Sequence, residues 1–169
     1  MQICTSPEKV ASALSMRAAG LVAIDGFQGS GKSTLAQAIG PALNLKVFKA
    51  DDYLARNQGS FFDHLDLDRL VADVTAAGPC IVEGICCLKV LHALGRSADS
   101  LIYVKRMAKW GWADEGELES YTTNGLTPLQ EPVEPLAKSP QNLWDEVRRY
   151  HTQFQPHVLA NIVYERNAA

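Results

Sequence analysis

The chain has 169 residues, 47% of them hydrophobic, with 16 Lys and Arg against 19 Asp and Glu. This suits one domain, residues 1–169, with a full core, and a net charge of −3 leaves no global field to draw nucleic acid or an anionic membrane. No apolar run approaches the roughly 18 residues of a membrane span, Glu8, Lys9 and Arg17 interrupt any signal-like stretch, and Cys4, Cys80, Cys86 and Cys87 lack metal or redox spacing, so a cytoplasmic protein with buried thiols is expected.

In chain order, Ser6 to Ala19 predicts a short amphipathic helix, capped by Ser6 with Pro7 at its first position. Leu21 to Asp25 is a continuous apolar run, as in a strand buried on both faces. A glycine-rich segment follows, then a helix from Lys32 that Gly40 and Pro41 are expected to end. Lys46 to Ala50 predicts a second strand. Leu67, Leu70, Val71 and Val74 have helical spacing, closed by Gly78-Pro79. Cys80 to Glu83 predicts a third strand, Leu88 to Leu94 a helix, and Ser100 to Val104 a fourth strand.

Lys105 to about Leu118 is charged and predicts a helix. Leu126 to Pro140 carries four prolines and forms no regular element. A helix resumes near Gln141, with Leu143, Val147, Tyr150, His151 and Phe154 on one stripe. Asn161 to Glu165 predicts a last strand. Alternating strands and helices imply an α/β domain with a mostly parallel, five-stranded sheet, and ligands of such sheets bind beyond the carboxyl ends of the strands.

Beyond the first strand lies Gly26-Phe27-Gln28-Gly29-Ser30-Gly31-Lys32-Ser33-Thr34. This is the G-x-x-x-x-G-K-[ST] pattern in its strand-before, helix-after context. The glycines let successive N–H groups converge on a phosphate, and the helix adds its positive end. Lys32 is expected on the β- and γ-phosphates, Ser33 on Mg²⁺, and Thr34 near the α-phosphate. The pattern marks a nucleoside triphosphate site without naming a reaction. Strand two ends at Asp51-Asp52-Tyr53 and strand three at Glu83-Gly84. A carboxylate at the first place suits a base for a hydroxyl acceptor, and one at the second suits Mg²⁺ or its waters. A helix cap or a solvated loop is the plainer use of Asp51 and Asp52.

The motifs IDGFQGSGKST, ADDYL, FFDHLDLD, IVEGICCL and LWDEVRRYHTQFQPH resemble, in this order, those of the uridine kinase group of P-loop kinases, which also holds nicotinamide riboside kinase, pantothenate kinase and phosphoribulokinase. The resemblance spans Leu21 to Glu165. It implies a three-layer α/β/α P-loop NTPase fold with a short lid at about residues 105–140. It also implies an ATP- and Mg²⁺-dependent transfer of the γ-phosphoryl group to a hydroxyl of a nucleoside or similar small alcohol. Asp51 then aligns with the general base, Glu83 with the acidic residue near Mg²⁺, and Asp63 with a sugar-hydroxyl ligand. Asp63 is equally placed to cap the following helix, and Tyr53 either walls the acceptor pocket or packs. Two departures stand out. Leu65 replaces the usual proline, and the lid offers only Arg106 and Lys109, which three-residue spacing would put on one helix face toward the phosphates or toward solvent.

His92, His151 and His157 read as packing or surface residues, and Trp110, Trp112 and Trp144 as apolar anchors rather than base platforms. A nucleoside monophosphate kinase would need an arginine cluster rather than an aspartate base for its phosphate acceptor, and Asp51 and the thin supply of arginine argue against it. A GTPase would carry N-K-x-D, which is absent. An ATPase regulatory module, or a nucleotide-binding module without turnover, is the remaining alternative.

Overall fold

The computed structural model describes residues 1–17, 20–54, 61–118 and 143–167. The strands are β1 (Gln2–Cys4), β2 (Leu21–Asp25), β3 (Lys46–Lys49), β4 (Cys80–Glu83), β5 (Ser100–Ala108), β6 (Gly111–Trp112) and β7 (Ile162–Asn167). The helices are α1 (Pro7–Ser15), α2 (Lys32–Leu43), α3 (Leu67–Ala77), α4 (Cys87–Ala93), α5 (Leu143–Phe154) and α6 (Pro156–Leu159). Two short 3₁₀ turns, Ala50–Tyr53 and Phe62–His64, follow β3 and precede α3.

The sheet runs β1-β7-β5-β2-β4-β3, all parallel, with β6 antiparallel on β5. Alternation along β2 assigns its faces. Leu21 and Ala23 join the core under α3, α4 and α5, while Val22 and Ile24 join the core under α1 and α2. Helices on both faces of a mostly parallel sheet make the expected three-layer α/β/α fold.

Among the described residues the sheet has seven strands rather than five. The first addition, β1, is an edge strand three residues long, too short to show a period. The second comes from Lys105–Trp112, where a helix was expected. There β5 continues to Ala108 because β7 pairs with it as far as Met107↔Asn167, and the chain then folds back as β6. Arg106 and Lys109 therefore share no helix face.

Helix α2 runs past Gly40 and Pro41 to Leu43. Proline removes one hydrogen bond but is tolerated in this last turn, and the helix ends at Asn44 in the left-handed conformation, whose N–H reaches the carbonyls of Gly40 and Pro41. Helix α1 starts as expected, with the Ser6 hydroxyl accepting from the Lys9 N–H, and it ends at Ser15. The start near Gln141, the proline-rich stretch and the lid beyond Leu118 lie outside the described residues. All four cysteines are buried and free. No helix among the described residues is long and apolar enough to cross a membrane.

Candidate active site

The carboxyl ends of β2, β3, β4 and β7 open on a cleft of about 470 Å³. The phosphate loop occupies the middle, between β2 and α2. Gly26 (φ +146°) leaves β2 so tightly that a Cβ there would lie 2.7 Å from the Val104 carbonyl oxygen. Gly31 (φ +103°) starts α2, and a Cβ there would lie 2.8 Å from Cδ of Arg166. Both positions demand glycine on conformation, and Gly26, against fixed backbone, on space as well. Gln28, Gly29, Gly31, Lys32, Ser33 and Thr34 line the cleft.

Phe27 and Ser30 point elsewhere. The Phe27 ring is buried and stacks on His151, with centroids 4.1 Å apart. The Ser30 hydroxyl is buried beneath the loop without a hydrogen-bond partner among the described residues. These two and Gly26, expected in the phosphate cradle, do not line the cleft.

Lys32 is 7% exposed, and its ammonium donates to the carbonyls of Gly26 (3.0 Å) and Phe27 (2.8 Å). Burial lowers its pKa, opposed by the carboxylates of Asp25, Glu83 and Asp51. Glu83 is 4% exposed, and its Oε1 accepts from the Ser33 hydroxyl at 2.7 Å. Burial raises the Glu83 pKa, while Ser33 and Lys32 act the other way. Strand β4 ends one residue before Gly84, whose absent side chain lets Ala50 approach.

The Ser33 hydroxyl and the Glu83 carboxylate are thus adjacent hard oxygen donors on the cleft wall. Among the described residues no cluster of three or more His, Cys, Asp or Glu could hold a metal. The pair nevertheless suits Mg²⁺, which takes one or two protein oxygens and completes its shell with phosphate oxygens and water.

Asp51, in the 3₁₀ turn after β3, lines the cleft and is exposed. Tyr53 does not reach it. Its ring is buried under the Arg69 guanidinium and its hydroxyl donates to Asp73 at 2.7 Å. Burial and that bond push the phenol up to about 12. Tyr53 therefore packs. Asp63 is exposed and is not part of the cleft wall; the cap of α3 is Asp66, which accepts from the Arg69 N–H. Arg106 is also outside the wall, held by Asp114 at 2.6 Å. Trp110 and Trp144 are exposed, whereas Trp112 packs near Phe27 and Tyr103.

Four further residues lie on or near the cleft: the sequence reading assigns Arg166, Glu146 and Asp25 no role, and takes His151 as a packing or surface residue. Arg166, at the end of β7, lines the cleft and donates to the carbonyls of Gly29 and Ser30. Its place beyond the apolar part of the last strand was the available signal. Glu146 of α5 is 4% exposed, and its two oxygens accept from the N–H groups of Phe61 and Phe62, at 2.9 and 3.0 Å. Asp25 is buried at the end of β2, accepting from the N–H groups of Gly26 (2.7 Å) and Cys87 (3.0 Å) and from the Tyr150 hydroxyl. Burial raises its pKa to about 6 against those hydrogen bonds. His151 accepts from or donates to the Tyr103 hydroxyl at 2.9 Å and packs its other ring nitrogen on the Val147 carbonyl. Burial lowers it to about 4, so it is neutral. It then donates to Val147 and accepts from Tyr103.

No protein-family model matches the chain, and no curated protein matches it. Among solved structures, a possible uridine kinase from Bacillus stearothermophilus aligns with a TM-score of 0.56 at 15% identity, over 94% of this chain and 96% of that one. A shikimate kinase from Bacteroides thetaiotaomicron aligns at a TM-score of 0.42 and 14% identity, over 86% of each chain. The chain has the P-loop kinase fold, which it shares with the possible uridine kinase.

Proposed function

We propose that the chain, acting as one domain, is an ATP- and Mg²⁺-dependent small-molecule kinase that phosphorylates a hydroxyl of a nucleoside or similar small alcohol. The observation that carries this reading is the joint lining of one cleft by Lys32, Ser33, Glu83 and Asp51. A phosphate cradle, a metal-type oxygen pair and a free-facing carboxylate are the parts a hydroxyl phosphotransfer needs.

In this mechanism the loop N–H groups and the α2 N-terminus bind the nucleotide's phosphates. Lys32 exchanges the carbonyls of Gly26 and Phe27 for phosphate oxygens. Mg²⁺, held by Ser33 and by Glu83 directly or through water, would screen the charge of the phosphates. Asp51 accepts the acceptor hydroxyl's proton as its oxygen bonds to the γ-phosphorus and the bond to the ADP oxygen breaks. Arg106 could join only by leaving Asp114. A kinase acting on a monophosphate is disfavoured by the same wall, where an aspartate rather than an arginine cluster faces the acceptor end.

The test is ADP release from Mg·ATP across a panel of nucleosides, ribosides, sugars and pantothenate-like alcohols. One class should stimulate release well above the hydrolysis seen without acceptor. Equal, slow release with every alcohol would instead favour a regulatory or binding module.

A further inference from the structure

The sheet order assigns the two ends of the cleft. Asp51 stands beyond β3, two strands from β2 on one side, and Arg166 ends β7, two strands away on the other. The phosphate loop lies between them. If Asp51 marks the acceptor end, as in the reading above on which this inference rests, Arg166 stands at the nucleotide end.

The geometry points to Arg166 as a positioning residue for the phosphate loop. Its Nη1 donates to the carbonyls of Gly29 (3.3 Å) and Ser30 (3.2 Å), while its aliphatic stem covers Gly31. A loop whose N–H groups face an anion turns carbonyls outward, and these need a donor. Arg166 supplies it from a rigid strand, where the two N–H groups of one guanidinium nitrogen reach both neighbouring acceptors. The same contact places a permanent positive charge at the rim of the phosphate site. Arg166 thus holds the loop in its anion-binding shape before any nucleotide arrives, so that little ordering remains when one binds.

The test uses the full chain and two probes, Mg·ATP and Mg·tripolyphosphate, with dissociation constants measured by calorimetry for wild type, Arg166→Ala and Arg166→Lys. A residue that shapes the loop weakens both probes alike. Arg166→Ala should lose about tenfold for each, and Arg166→Lys, which keeps the charge on a shorter stem without the planar guanidinium, should lie between. The melting temperature of the ligand-free variants should stay near that of wild type, separating loss of loop shape from loss of fold. If Arg166→Ala fails to fold, Arg166→Lys alone decides, and wild-type affinity for both probes would overturn the inference. Unchanged binding in Arg166→Ala overturns it, and so does weakening confined to ATP, which would mean a contact with the nucleoside. Failure of wild type to bind either probe would defeat the kinase reading itself.

Discussion

Asp25 sits at the junction of β2 and the phosphate loop, and its burial works against its charge. A carboxyl whose pKa rises from 3.8 to about 6 on folding favours the folded state when protonated. That contribution is complete below the unfolded value and disappears as pH rises through the folded one. A shift of this size corresponds to roughly 3 kcal/mol. His151 acts oppositely in nearly the same window. Its neutral form is the buried one, so stability falls as pH drops from its ordinary value of 6.5 toward about 4. Wild-type stability alone would mix the two. The informative quantity is the difference between wild type and Asp25→Asn in urea denaturation from pH 4 to 7.5. Wild type should lose stability relative to the variant as pH rises, by roughly 2–3 kcal/mol in all. A difference independent of pH would show that Asp25 is charged throughout.

At the scale of elements, α5 ties three parts of the site together. Leu143 lines the cleft, Glu146 holds Phe61 and Phe62, and Tyr150 and His151 reach Asp25 and Phe27 beneath the phosphate loop. Glu146→Ala would leave two N–H groups without an acceptor, one buried and one half-buried, and should cost about 2–4 kcal/mol by urea denaturation. Glu146→Gln keeps one acceptor oxygen and should cost less. Equal stability of all three proteins would refute the role. The apolar stripe of α5 was legible in the sequence, from Leu143 to Phe154. Its polar tie was not, because the partners of Glu146 lie 84 and 85 residues away. The same limit explains the β5–β6 hairpin. The charges of Lys105, Arg106 and Lys109 have helical spacing, and the competing influence is the pairing of β5 with β7, which no local pattern reports.

For the whole molecule, the layer order and the cleft follow from signals strong enough to read locally. The apolar run of β2, the glycine pattern and Lys32-Ser33 fix the phosphate loop, and strand-end logic brings Glu83 and Asp51 to the same wall. Tyr53 and Asp63 lie outside the wall, since the Tyr53 ring is held under Arg69 with its hydroxyl on Asp73, and Asp63 belongs to the separate turn before α3. Arg166 reaches the wall only because β7 lies beside β5, a fact of topology. In the proposed function, Asp51 is the group that distinguishes transfer to a hydroxyl from mere nucleotide binding. The most direct measurement compares wild type with Asp51→Asn, reading Mg·ATP affinity and ADP release stimulated by the best alcohol of the panel. Asp51 is exposed, so the variant should fold, and it should bind Mg·ATP within about twofold while its stimulated turnover falls about 10²-fold or more. Stimulated turnover equal to wild type would contradict the account.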